Sequence, residues 1–400
     1  METIRLTDTS DRVNYFRRGI VAGLHYWDAW LAEHLTDVAS VEREQEGIIK
    51  ALTFAFEVDE TWPLVYKVIT TLFSHMDRRG HWQVWHWVLA QTIKMAERVG
   101  EARDGADLSA SLALMLQRQG LKAQAIAGHR RTIRLARQAG HHFAEARACT
   151  NLGYLYTELG QWYRAEVLCF HAFRLFEEVN SDYGCAHTQN HLGLLYTRQN
   201  RWEQAQIHLE RACAIWQSMD DHHGLLKGFT NFSALYIKME KPHQALTYLK
   251  QALKQAQITG SEFDKGMVYG NMGIAYRLSD DFRQAENHYR QAEGVFKKLA
   301  DTQEMIKVWE NLGVLYRIQK RWDEALLYLG RALEMWREMG NRSEEINALI
   351  NLLDYELDRN NQQQATNLVR EIEDLIGSTD EGAPYYFYYQ ELKKRRYNPD

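Results

Sequence analysis

A six-residue phrase returns every 40 residues in this chain: Asn151-Leu-Gly-Tyr-Leu-Tyr156, Asn231-Phe-Ser-Ala-Leu-Tyr236, Asn271-Met-Gly-Ile-Ala-Tyr276 and Asn311-Leu-Gly-Val-Leu-Tyr316. A variant, His191-Leu-Gly-Leu-Leu-Tyr196, fills the gap in the series, and a decayed copy begins at Asn351. Neither insertion nor deletion disturbs the register over 200 residues. Such a chain has few folding options. One unit is too small to bury an apolar face alone, so copies must stack and cover their neighbours. The expected architecture is an all-α solenoid, a right-handed superhelix of about eight helical hairpins, and the expected task is binding rather than chemistry.

Each unit reads as two helices. From 146 to 159 leucine, glycine and tyrosine fall at helical spacing; a turn follows at Gly160-Gln161, and a second apolar-periodic stretch runs from Trp162 to Glu178. Glycine inside the first helix, at Gly153, Gly193, Gly273 and Gly313, costs roughly 1 kcal/mol relative to alanine. Its recurrence predicts a neighbouring helix backbone in very close approach. The second helix supplies alanines seven apart, Ala165/Ala172, Ala205/Ala212, Ala245/Ala252, Ala285/Ala292 and Ala325/Ala332, a small flat stripe two turns long. Trp162, Trp202, Phe282 and Trp322 at the turn exit, and the tyrosines from Tyr156 to Tyr316, are expected to fill the remaining space.

Composition agrees. Four prolines in 400 residues suit a nearly all-helical chain, and 45% hydrophobic with 25% charged residues excludes wholesale disorder. A net charge of −5 gives no global positive field for nucleic acid. Cys149, Cys169, Cys185 and Cys213 lie in predicted helices without paired spacing and read as apolar fillers in a reducing compartment. Met1 to Ser10 is polar, and no apolar run nears the roughly 20 residues that span a bilayer. A cytoplasmic location without a membrane partner is expected, and the sequons at Asn231 and Asn341 carry no weight.

The leucine, glycine and tyrosine of the first helix and the paired alanines of the second, from Asn151 to Ala332, resemble the tetratricopeptide repeat. Units of 40 rather than 34 residues, with Glu177, Gln217, Gln257, Lys297 and Arg337 where the shorter form often has proline, imply a longer helix B. That longer form is similar to the sensor half of bacterial signal-transduction ATPases of the maltose-regulator and NB-ARC type. Their G-x-x-x-x-G-K-[ST] phosphate loop is missing from this sequence, so the resemblance is to the sensor alone, freestanding or part of something longer. Upstream the likeness weakens: Arg79-Gly-His-Trp82 and Arg118-Gln-Gly120 occupy turn positions, and 42 to 57 looks like an opening helix. The organisation expected is an N-terminal helical cap over 1–40, divergent hairpins over 41–144, a regular array over 145–376, and a capping or docking segment over 377–400.

In that family helix A lines the concave wall. Counted from Ala146, the resemblance points the second, fifth, sixth, ninth, twelfth and thirteenth places inward. The sixth place holds an asparagine row, Asn151, Asn231, Asn271, Asn311 and Asn351, with His191 once in its stead. Asparagine is a mediocre helix former, and its amide both donates and accepts, which suits gripping an extended peptide backbone. Alternatively, each amide tethers a neighbouring helix or meets water. The other inward places supply Arg147, Lys227, Lys307, Arg277, Arg317, Arg198 and Lys238, against only Glu158 and Glu310 up to residue 318. Such a wall would orient an acidic segment or a C-terminal carboxylate, or it is an ordinary solvated face. The family's carboxylate clamp needs lysine at the fifth place, where Thr150, Asn190, Thr230 and Gly270 stand, so that clamp is not expected.

His187 and His191, four apart on the same face, count with the groove. With Cys185, and His171, Cys169 or His208, they could chelate zinc or copper, but no compact Cys-x-x-Cys or H-E-x-x-H spacing supports a metal. No catalytic signature such as G-x-S-x-G occurs. Tyr26, Trp27, Trp30, Trp82, Trp85 and Trp87 are read as core where the repeats become irregular, with a recognition patch as the alternative. After a hinge at 377–382, Pro384-Tyr-Tyr-Phe-Tyr-Tyr389 and Lys393-Lys-Arg-Arg396 read as a capping helix first and a docking segment second. The function expected is a non-enzymatic scaffold or adaptor, without cofactor, that binds a protein or peptide segment. The alternative is a ligand-responsive regulatory sensor controlling a separate ATPase, protease or nuclease. The sequence leaves the oligomeric state open.

Overall fold

A helix begins every 20 residues from Trp62 to Gln362. The computed structural model describes residues 9–34, 38–76, 82–376 and 384–397; the turn at 79–81 and the hinge at 377–382 lie outside them. Two helices stand before the series, α1 (Thr9–His34) and α2 (Val38–Ala55), followed by the short 3-10 turn Asp59–Thr61. The series then runs α3 (Trp62–Met76), α4 (Trp82–Val99), α5 (Ala102–Arg118), α6 (Lys122–Gln138), α7 (His142–Glu158), α8 (Trp162–Glu178), α9 (Asp182–Arg198) and α10 (Trp202–Ser218). It continues as α11 (His222–Lys238), α12 (Pro242–Thr259), α13 (Glu262–Leu278), α14 (Phe282–Leu299), α15 (Thr302–Ile318), α16 (Trp322–Glu338), α17 (Arg342–Asp358) and α18 (Gln362–Leu375). Helix α19 (Pro384–Tyr397) falls outside the beat. Among the described residues there is no strand and no helix long and apolar enough to cross a membrane.

The beat is kept at the joints. From 100 to 360, every residue whose number is a multiple of 20 adopts positive φ: glycine at six of these positions and another residue at eight, among them Glu240, Ala300 and Lys320. That left-handed residue lets the next N–H reach back five residues, as from Asp221 to the Trp216 carbonyl (2.9 Å) and Arg321 to Tyr316 (2.9 Å), which satisfies carbonyls orphaned at the helix end. Where the first residue after the joint is a short polar one, it caps the following helix. Asp221, Ser261 and Asp301 accept from the N–H three residues on, at 2.9, 3.2 and 3.0 Å.

The helices gather into two compact units, residues 1–155 with 170–181, and residues 156–169 with 182–400. In the first, Leu24, Leu31, Ile48, Leu52, Val65, Ile69, Leu72, Trp85 and Leu89 form a dry core. Trp27 and Trp30 pack against it, whereas Tyr26 and Trp87 are exposed, so the N-terminal aromatics are only partly core. In the second, each helix packs on its successor from α9 to α18, and the A helices α9, α11, α13, α15 and α17 also touch one another in turn. All five alanine pairs are fully buried. Three of the helix A glycines meet a large side chain first, and for two of them the backbone approach their recurrence suggested lies just behind it, with Ala205 O 3.4 Å from a Cβ on Gly193 and Leu329 N 3.3 Å from one on Gly313. A Cβ on Gly193 or Gly313 would lie 2.6 Å from Leu209 or Leu329, and one on Gly273 would lie 2.5 Å from the Tyr289 ring. In the α5–α6 pair the small residue changes helix: Ala113 holds the glycine place, and Gly128 is where a Cβ would strike it at 2.8 Å. Helix α19 lays Tyr389 and Leu392 into the core beside α17 and α18.

Candidate binding site on the A helices

Five of the expected groove residues come together in the second unit. A cavity of about 650 Å³ is lined by Arg277 from α13, Lys307, Asn311 and Arg317 from α15, and Asn351 from α17. Glu310 joins them on α15, as do Glu344, Asn347 and Asp354 on α17 and Tyr388 on α19. Asn347 and Asp354 occupy the second and ninth inward places of the last unit, so continuing the same count one repeat further would have found them. Tyr388 had no such signal, because α19 obeys no repeat.

Two of the three cations lining the cavity come with their own counter-ions. Arg317, almost buried, is held between Asp354 (2.7 Å) and Asp358, and Asp354 also accepts from the Tyr388 hydroxyl at 2.7 Å. Lys307 pairs with Glu304 at 2.7 Å. Arg277 is directed at the Tyr289 hydroxyl and works against the rise that burial imposes on it. Elsewhere in the unit Arg198 pairs with Glu158 at 2.6 Å, whereas Lys227 and Lys238 on α11 are exposed. The net result is a wall of mixed charge rather than a basic one.

Glu310 is the unusual member. Burial first, and then the charge of Glu344, push its carboxyl up to about 8. Its Oε1 is shielded from solvent without a hydrogen bond, and so is the Trp336 indole nitrogen on α16, whose N–H faces it.

The asparagine row is partly committed. Asn231 Nδ2 donates to Asn190 Oδ1 across to α9 at 2.8 Å, and Asn311 Nδ2 donates to the Lys307 carbonyl of its own helix at 3.0 Å. The first amide ties two helices together; the second is bonded within its own helix. Asn271 and Asn351 stay half-buried on α13 and α17. Asn151 and Arg147 belong to the first unit, where Arg147 lies 3.8 Å from Asp107. His187 packs edge-on against Trp216 and at a tilt on Tyr183. Burial holds its ring down to about 4 and that of His191 to about 3, with Lys227 adding to both, so both rings are neutral at physiological pH.

Among the described residues, one group has metal-ligand chemistry, Glu145, Cys149 and His171 of the first unit, with donor atoms within 4.8 Å of one another. Of the residues weighed from sequence only His171 is in it. Arg137 occupies the centre: it donates to Glu145 at 2.6 Å, and His171 lies 2.8 Å from the same carboxylate oxygen. Burial raises the Glu145 carboxyl, but His171 and Arg137 outweigh it and hold the group below its ordinary value. Burial, followed by Glu145, pushes the Cys149 thiol up to about 12, far from the thiolate a metal would use. The same clasp recurs 200 residues on, where Arg337 holds Glu345 at 3.0 Å and Glu371. Both are ties between helices. A second repeated tie links Tyr196 to Glu166 (2.5 Å) and Tyr316 to Glu286 (2.6 Å), with Arg201 and Arg321 over the two rings.

Stacked hairpins whose A helices touch in turn through the second unit define a helical-repeat protein. The chain belongs to the tetratricopeptide repeat family, whose model matches residues 146–218, 222–298 and 304–375, more than half of it. No curated protein sequence matches it. Among solved structures it is similar to a signal transduction ATPase with numerous domains and a tetratricopeptide repeat sensor from Pyrococcus horikoshii (15% identity, TM-score 0.59), covering 84% of this chain and 50% of that one. It thus spans half the length of that ATPase. It is also similar to the apo quorum sensor NprR from B. thuringiensis, at 16% identity and TM-score 0.59 over 90% of this chain and 100% of that one. A third likeness is a Rap protein complexed with competence and sporulation factor, at 14% identity and TM-score 0.50 over 85% and 99%.

Proposed function

We propose that this protein is a non-enzymatic interaction module that binds a peptide segment along the A-helix face of its second unit. The observation that carries this reading is the cavity between α13, α15 and α17, where amides from three side chains, Asn311, Asn347 and Asn351, meet charged groups of both signs. Amides that donate and accept match the alternating N–H and C=O of an extended backbone. An acidic group of the same segment would find Lys227 and Lys238, which stand exposed on α11. Replacing Asn311 and Asn351 together with alanine should abolish capture of the partner in pull-downs from the native cell, with circular dichroism and melting nearly unchanged. Recovery of the same partner by the double variant would end this assignment.

A regulatory reading gains support from α19. Its Tyr388 hydroxyl is bonded to Asp354 on the cavity wall, so a ligand entering there meets a helix held by few contacts. NprR is a quorum sensor, and the Rap protein was solved with competence and sporulation factor. A chain of the same fold that answers a ligand by releasing α19 would act as a sensor subunit for a separate effector. Hydrogen exchange of α19 with and without the captured partner separates the two: a passive scaffold leaves its protection unchanged or raised.

A further inference from the structure

One carboxyl of the cavity wall, Glu310, lacks a full counter-ion: Lys307 acts on it, but less than burial and Glu344 do. Glu310 on α15 and Glu344 on α17 press on each other, and the cations nearby are engaged: Lys307 with Glu304 at 2.7 Å, Arg317 with Asp354 and Asp358. Arg277 on α13 is turned to Tyr289 on α14, and Tyr388 on α19 to Asp354. From α16 only the neutral Trp336 indole faces Glu310. Asn347 Nδ2 holds Glu344 Oε2 in place at 2.9 Å, while Glu310 Oε1 is buried without a hydrogen bond. A buried carboxyl left short of partners next to a second carboxylate calls for a cation from outside.

We infer that this cavity receives a basic side chain, a lysine or arginine of the bound peptide, between the carboxyl groups of Glu310 and Glu344. The inference rests on the peptide-binding reading and specifies what the peptide must carry. In the empty site a proton takes the cation's place, because burial and Glu344 keep Glu310 protonated up to about pH 8. On binding, the Glu310 O–H bond breaks, its proton leaves to solvent, and the carboxylate pairs with the incoming ammonium or guanidinium. One proton is released for each cation bound.

Random peptides displayed on phage and selected on the full chain at pH 8 provide the test, followed by fluorescence anisotropy of the selected peptides at pH 8 and pH 6. The expected winners share a lysine or arginine whose replacement by norleucine weakens binding about tenfold or more. Wild-type affinity should fall about fifty-fold between pH 8 and pH 6, as expected for a site that must shed one proton of pKa about 8. Glu310→Gln, nearly isosteric, should melt no lower than the wild type at pH 6 yet bind weakly at both pH values with the dependence gone. Binding that survives norleucine, winners that depend on an acidic residue, or a pH dependence unchanged in Glu310→Gln would overturn the inference. Peptides that require Asn311 but no basic residue would sink it and leave the peptide-binding reading standing. If no peptide is retained at either pH, both fall.

Discussion

Gly270 and Gly273 lie less than one turn apart on α13, yet alanine should have opposite effects at the two. At Gly273 the new methyl would sit 2.5 Å from the buried Tyr289 ring; at Gly270 it would meet nothing within 4 Å. Gly273→Ala should therefore cost about 2 kcal/mol through overpacking, whereas Gly270→Ala should gain up to about 1 kcal/mol from helix propensity. Urea denaturation of the two variants checks both signs. Glu310 offers a second case. Its carboxyl sits near 4.5 when the chain is unfolded and about 8 in the fold. Below pH 4.5 it is neutral in both states, so Glu310→Gln should then match the wild type. Between the two values only the unfolded chain ionises, and wild-type stability falls as pH rises; above pH 8 the deficit is constant. The glutamine variant should accordingly be the more stable at pH 8.5, by as much as about 5 kcal/mol. Equal melting of the two proteins at pH 8.5 would show that Glu310 is not buried in this way.

Helices obey a different logic from residues, because their ends rather than their faces set the beat. Eight of the joints place a side chain in the left-handed region, at roughly 1–2 kcal/mol for each residue other than glycine, asparagine or aspartate. Ala300→Gly and Lys320→Gly should each stabilise the chain by up to about 1 kcal/mol, and a lowered melting temperature in either would count against the capping account. Helix lengths and hairpin pairing were legible in the sequence, since the Asn-x-Gly phrase and the paired alanines mark A and B helices directly. The 20-residue beat upstream was faint, because α4 to α6 keep the joints but lack the phrase. What each glycine faces was not legible at all: it depends on whether leucine or tyrosine fills position 209, 289 or 329 of the opposing helix. In the cavity the α13 and α15 members followed from inward places, and so, one repeat further, does Asp358 at the thirteenth place, but the partner of Lys307 is Glu304, which stands at no inward place. The Glu145–His171 clasp was invisible for a related reason, as its members are brought together only by the hairpin between them.

For the molecule as a whole, stability in a stacked array is a sum over neighbours, so damage should stay near its source. Removing 384–397 takes Tyr389 and Leu392 out of the C-terminal core. Amides of α17 and α18 should then exchange much faster with deuterated solvent, while those of α9 to α12 keep their protection. Uniform loss across all these helices would show that the second unit unfolds as one cooperative block.

The spacing of the left-handed joints also bears on how such a gene can change. Because residue n and residue n+40 hold corresponding stations anywhere between 160 and 360, excising or doubling a 120-base-pair stretch rejoins the polypeptide in phase wherever the cut falls. A slip of one codon, by contrast, swings everything downstream on that helix by 100°. Recombination between copies can therefore lengthen or shorten this protein in whole steps, and the reading surface can grow without any joint being rebuilt.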